Sequence, residues 1–223
     1  MTSTVRAVAL AALAEQGKAN LADIKRYQPH VKDMSLLGKS YFLQATLAVP
    51  GAEGFAPDVA KMILDTSNQT GGKFVFNETW DDSYSRILAS PMRENCAVLD
   101  AFVAYGERPT GKLLVGDVPF KLVRTITQSR KNRDYWQNTQ ENVICGNALI
   151  DFARVYEKDK VNMQVKAVMD DKAIGRATFT DPRDKSVTLT RPNTATDAGR
   201  KTVVKISRGG TGRLYYSTRL TYA

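Results

Sequence analysis

Val5, Val8, Ala9, Ala12 and Leu13 recur at helical spacing near the start of the chain, and Gly17 closes the run. This predicts a first helix with that apolar stripe. Leu21 to Tyr27 reads as a short second helix. Ser35 to Val49 reads as a third, with Leu36, Leu37, Leu43 and Leu47 apolar and Pro50-Gly51 as its stop. Ala56-Pro57-Asp58 opens a fourth, with Pro57 at the first helical position and Val59, Met62 and Ile63 behind it. Gly71-Gly72 breaks the pattern, and Lys73 to Asn77 alternates like a short strand. Ser90-Pro91-Met92-Arg93-Glu94 is a capped helix start, followed by an apolar face of Cys96, Leu99, Phe102 and Val103. Phe120 to Arg130 predicts a further helix. Asn138-Thr139-Gln140-Glu141 offers a capping box, in which Asn and Glu satisfy each other's backbone N–H. In the helix that follows, Val143, Ile144, Ala148, Leu149, Phe152 and Tyr156 cover more than one stripe. That is the pattern of a helix buried between others.

Two of these helices resemble each other. Glu94-Asn95 begins one and Glu141-Asn142 the other; Val98-Leu99-Asp100 matches Leu149-Ile150-Asp151, and Tyr105 matches Tyr156. The spacing of about 47 to 51 residues is that of stacked helix pairs, and the match includes an insertion of about one turn. Such pairs bury their apolar faces only against neighbours, which predicts an array or ring. After Lys160 the period changes to two. Val161, Met163, Val165, Ala167 and Met169 alternate with polar residues. So do Ala177 and Phe179, Val187 and Leu189, Val204 and Ile206, and then Leu214, Tyr216, Leu220 and Tyr222. This predicts about five antiparallel strands with turns at Asp170-Asp171, Asp181-Pro182 and Arg191-Pro192-Asn193. The expected fold class is α+β: an α/α toroid-like helix-hairpin segment over 1–159, then a small antiparallel β domain over 160–223.

Charge supports that boundary. Residues 1–159 hold 19 Lys+Arg and 18 Asp+Glu, whereas residues 160–223 hold 13 and 5. The bland reading of the basic segment is a solvated surface; the functional one is a site for anionic polymers or an acidic partner. Cys96 and Cys145 lie in apolar helical patterns, which predicts buried inert thiols, and two such distant cysteines make no disulfide scaffold or zinc site. The single histidine, His30, has no Cys or acidic cluster beside it and makes no metal site or triad. The start, MTSTVRAVALAALAEQG, lacks a basic n-region, and Arg6 and Glu15 interrupt its apolar run. It fits neither a signal peptide nor a membrane span, and a helix beginning almost at residue 1 suggests a piece of a longer protein.

Arg208-Gly209-Gly210-Thr211-Gly212-Arg213 poses the sharpest chemical question, because glycine-rich loops cradle phosphates. Such a loop needs a helix after it, and Leu214 to Tyr222 has a strand period instead. The Lys-Ser/Thr pair of a P-loop is also missing. The glycines therefore predict a hairpin loop with left-handed positions. Arg208, Arg213 and Arg219 would then share one end or face of the sheet, as edge charge or as a basic contact patch. Asp81-Asp82 and Asp170-Asp171 are adjacent pairs in turns and make poor acid/base dyads. Trp80 and Trp136 each precede one of the similar helices, as packing residues or as a sugar-stacking platform. Met163 and Met169 fit a core face. No residue set requires a metal or cofactor.

The helix hairpins ending in TQENVICGNALIDFARVYE, followed by a β segment closing on GGTGRLYYSTRLTYA, resemble the bacterial alpha-2-macroglobulin family. The tail matches through Gly210, Gly212, Leu214, Tyr215, Tyr216, Ser217, Arg219, Leu220 and Tyr222, and the T-x-E-N helix entry at Thr139, Glu141 and Asn142 fits as well. The resemblance implies the last hairpins of the thioester-domain ring followed by CUB-like strands. It also implies a parent that is periplasmic, often lipid-anchored, and traps proteases. The family's Cys-x-Glu-Gln thioester motif is not in this sequence: Ala97 follows Cys96 and Gly146 follows Cys145. On this reading the chain is not an enzyme and holds no thioester residue. Its partners are proteases, met through the full-length parent, and neighbouring macroglobulin domains, with no nucleic acid expected. The competing expectations are a glycan- or isoprenoid-processing enzyme on an α/α toroid and a basic β module for anionic polymers.

Overall fold

A computed structural model describes residues 1–70, 73–81, 87–130, 135–192, 199, 201–216 and 218–220. The fold is α+β, in two compact units, Met1–Tyr156 and Glu157–Ala223. The first holds helices α1 (Thr2–Glu15), α2 (Leu21–Tyr27), α3 (Leu36–Ala48), α4 (Ala56–Leu64), α5 (Pro91–Gly106), α6 (Pro109–Val115), α7 (Val118–Ser129) and α8 (Thr139–Tyr156). A small antiparallel hairpin, β1 (Ser67–Thr70) and β2 (Lys73–Phe76), joins α4 to α5. The polar run Ser67-Asn68-Gln69-Thr70 gives no apolar alternation, so only β2 was legible in the sequence. Among the described residues no helix is long and apolar enough to cross a membrane.

The longer helices form a row: α1 packs on α3, α3 on α5, and α5 on α8. Shorter helices flank it, with α4 against α3 and with α6 and α7 against α5. Gly38 lets α1 and α3 approach, since a Cβ there would lie 2.9 Å from the Thr4 Cα. At the same crossing the Ser35 N–H donates to Thr4 Oγ1 at 2.9 Å. The centre of the row is α5, which buries residues on every side, Arg93, Glu94 and Asn95 included. Around it Phe76 meets Phe102 edge-on at 5.8 Å.

Two helix faces differ from expectation. In α1 the buried side is Thr4, Ala7, Leu10, Ala11 and Ala14, while Val5 and Leu13 are exposed. The predicted stripe is largely the outer side, because small residues on the other side permit the close contact with α3. In α8 the buried residues Glu141, Cys145, Ala148 and Phe152 form one stripe, and Val143 and Ile150 are exposed. The helix buried between others is α5, whose polar first turn concealed it in the sequence.

The second unit is a three-stranded antiparallel sheet, β3 (Asn162–Met169), β4 (Lys172–Phe179) and β5 (Val204–Thr211), in the order β4-β3-β5. Met163, Val165 and Ala167 turn to the buried side, as their alternation predicts. Asp170 and Asp171 both take positive φ, 47° and 63°, forming the two-residue turn between β3 and β4. Leu189 lies against Gly175 of β4 without forming a strand. Three strands are therefore described where the sequence predicted about five.

The glycine stretch is not a hairpin loop. Gly209 and Gly210 lie inside β5, opposite Gln164 and Met163 of β3. Gly210 has φ 93°, and a Cβ there would overlap the Asn162 carbonyl, so backbone approach is what demands glycine. Residues 213–216 and 218–220 form no strand, while Ser217 and residues 221–223 lie outside the described residues.

Candidate functional site

The three arginines singled out by sequence all lie at the surface. Arg208 sits on β5, opposite Val165, and its guanidinium donates to the Gly212 carbonyl. Arg213 and Arg219 are exposed in the irregular segment after β5. Among the described residues, no second strand presents these three side chains on a common face.

Cys96 and Cys145 are not thiols. They form a disulfide between α5 and α8, with Cα atoms 4.8 Å apart and both residues fully buried. Their separation of 49 residues along the chain spoke against a bond. The packing of two similar helices side by side cancels that separation. Their places near the starts of two matched helices were the signal that could have revealed the bond.

The densest polar cluster joins the N-terminal ends of α3, α5 and α8. Arg93 and Glu94 are each 1% exposed, so every polar atom there needs a partner. Arg93 donates to Glu94, to the Ile87 carbonyl and, at 2.9 Å, to Gln140 Oε1. Glu94 accepts from the Leu37 N–H, and Glu78 accepts from the Leu36 N–H at 3.0 Å. Two carboxylates thus meet the first turn of α3, where free N–H groups and the helix dipole favour negative charge. Burial pushes the Glu94 carboxyl above its ordinary range, against the pull of Arg93. Ser90 caps α5 through the Arg93 N–H at 3.1 Å and donates to Glu141 at 2.6 Å. Asn138 accepts from the Glu141 N–H at 2.9 Å, which is half of the predicted capping box. The Glu141 carboxylate instead accepts from the Gln137 N–H and from Ser90, because α5 lies beside it. Asn95 holds β2 to α5 by pairing with both the N–H and the carbonyl of Phe76.

Beside this cluster a cleft of about 540 Å³ is lined by Lys32, Asp33, Ser35, Lys39, Asn77 and Glu78. Lys39 donates to the Met34 carbonyl at 2.6 Å, and burial lowers its pKa against the pull of Glu78 and Asp33. Trp80 donates to Glu78 at 2.8 Å. Trp136 is packed, donating to Ser129 at 3.2 Å with Arg130 over its ring, so it offers no open sugar platform. Of the Asp81-Asp82 pair, Asp82 lies outside the described residues.

A second polar group crosses α3, α5 and α8. Gln44 donates to Asp100 at 2.7 Å, and Arg154 pairs with Asp151 on α8. Burial first, and then Asp151, push the Asp100 carboxyl up to about 6. Among the described residues no three His, Cys, Asp or Glu side chains cluster as metal ligands. The carboxylates of the helix-end cluster are committed to N–H donors, so that arrangement fixes helices and activates no nucleophile.

No protein-family model matches the chain, and comparison with curated proteins finds no significant match.

Proposed function

We propose that this chain is a non-catalytic part of a bacterial alpha-2-macroglobulin-like protease trap. It would supply the last helix hairpins of a thioester-domain ring and CUB-like strands beyond them. The observation that carries the reading is the row α1-α3-α5-α8, whose two end helices both leave apolar side chains exposed. Val5 and Leu13 are 48% and 45% exposed on α1, and Val143 and Ile150 are 55% and 66% exposed on α8. Helix-pair arrays bury such faces against further pairs, so an arc of a larger ring accounts for both ends together. The tail Gly210-x-Gly212-x-Leu214-Tyr215-Tyr216-Ser217-x-Arg219-Leu220-x-Tyr222 adds the family wording. The Cys96–Cys145 bond supports an oxidising compartment, in keeping with a periplasmic, lipid-anchored parent.

In this role the helices wall off a reactive acyl group held outside this chain, and the β unit couples that wall to bait cleavage. Proteases are then partners of the parent, and neighbouring macroglobulin domains are partners of this chain. The test uses the full-length parent. Methylamine incorporation followed by mass spectrometry should place an adduct outside Met1–Ala223, and a protease added to the parent should stay associated after bait cleavage. A parent that neither incorporates methylamine nor retains a cleaving protease would overturn the reading.

A further inference from the structure

The β unit carries a basic face that differs from the arginine set suggested by sequence. Gln164 and Lys166 are exposed and alternate with the buried Met163, Val165 and Ala167, so they stand on the open side of the sheet. Residues directly opposite in an antiparallel pair share a face. Lys166 stands opposite Arg176 of β4 and Ser207 of β5, and Gln164 stands opposite Thr178 and Gly209. Val168, the next residue on this side, is opposite Lys205 of β5. Three strands therefore bring Lys166, Arg176 and Lys205 onto one open face, with Arg176 beside Lys166 and Lys205 diagonal to it.

Like charges placed directly opposite, as Lys166 and Arg176 are, repel and cost a sheet stability. No residue of β3, β4 or β5 is acidic. Lys205 reaches Asp171 of the turn at 3.3 Å, but both side chains are exposed, so solvent and ligand compete for that pair. An anion held over the three cations offsets their repulsion. The mix of side chains selects among anions. Gln164, Thr178 and Ser207, all exposed, place neutral hydrogen-bonding groups between the cations, and Gly209 has open space above it. Single-stranded nucleic acid binds with its bases stacked on aromatic side chains, and no strand position on this face is aromatic. A lipid surface rewards exposed apolar side chains beside the cations, whereas the exposed Val204 of β5 stands opposite Met169, on the other face. A glycan chain carries anionic groups and hydroxyls together, which matches cations interleaved with amide and hydroxyl groups.

We propose that this open face of the sheet binds an anionic polysaccharide. Lys166, Arg176 and Lys205 hold its sulfate, phosphate or carboxylate groups, and Gln164, Thr178 and Ser207 meet its hydroxyls. The Arg176 guanidinium forks onto two oxygens of one anionic group, while the lysines act as point charges. The surface is independent of the macroglobulin reading, since it belongs to the β unit alone.

Titration calorimetry of the full chain with a heparin octasaccharide at about 50 mM salt tests it. Three ionic contacts release about two counterions, so binding should weaken about fourfold for each doubling of salt. Lys166→Gln/Arg176→Gln should weaken binding at least about tenfold and reduce the salt effect to under about twofold per doubling. Lys172→Gln/Arg208→Gln removes equal charge from the opposite face, where these residues stand opposite Met169 and Val165. It should stay within about twofold of wild type. Absence of binding in wild type, or a loss in the first double variant no greater than in the second, would overturn the proposal. Tighter binding of an oligothymidylate or of phosphatidylglycerol vesicles at the same salt would overturn it as well.

Discussion

Replacing Cys96 and Cys145 together by alanine removes a link that closes a loop of 49 residues. Loop-closure entropy for that length predicts a loss of about 4 kcal/mol, within the range of about 2–5 kcal/mol seen for native disulfides. Both cysteines are fully buried, so the lost sulfur contacts add to the penalty. Urea unfolding followed by tryptophan fluorescence isolates the effect, because Trp80 and Trp136 both belong to the unit Met1–Tyr156. With a urea slope of about 2 kcal/mol per M, the midpoint should fall by about 2 M. Alkylation of the denatured chain should add no label before reduction and two labels after it. Two labels without reduction, or a midpoint shift under about 0.5 M, would refute the reasoning.

Arg93→Met should destabilise the helical unit by about 3–5 kcal/mol, since it strands the buried Glu94 carboxylate; Arg93→Met/Glu94→Gln should recover much of that loss in the same unfolding assay. Leu10→Ala should cost about 2–5 kcal/mol while Leu13→Ala stays within about 0.5 kcal/mol, because Leu10 is 4% and Leu13 45% exposed. Equal costs would return α1 to the face predicted from its sequence. Gly210→Ala should disrupt pairing of β5 with β3, read as loss of exchange protection across residues 204–211. Gly209→Ala, with nothing within 4 Å of its Cβ, should leave that protection intact.

The helix positions were largely legible because local chemistry sets them. Ser35 and Ser90 cap the helices they were expected to open, and Leu21–Tyr27 falls where its periodicity places it. The Asp170-Asp171 turn and the alternation of β3 were legible for the same reason. Faces were less so. An alanine-rich helix such as α1 has weak contrast between its sides, and the neighbour that fits closest selects the buried one. The buried run Arg93-Glu94-Asn95 looked like a polar first turn, since its partners Leu37, Gln140 and Phe76 come from three other elements. The glycine stretch was misread because a left-handed glycine serves a strand as well as a turn, and only the Asn162 carbonyl across the pair distinguishes them.

By itself the sequence determined what neighbouring residues can settle: helix caps, turns, the period of each segment and the α+β division. Its wording also pointed to a family. Tertiary structure decided which charges are buried and which cysteines meet. Those outcomes depend on distances between elements, such as the 4.8 Å between Cys96 and Cys145. Local propensity carries no information about such distances until α5 and α8 pack.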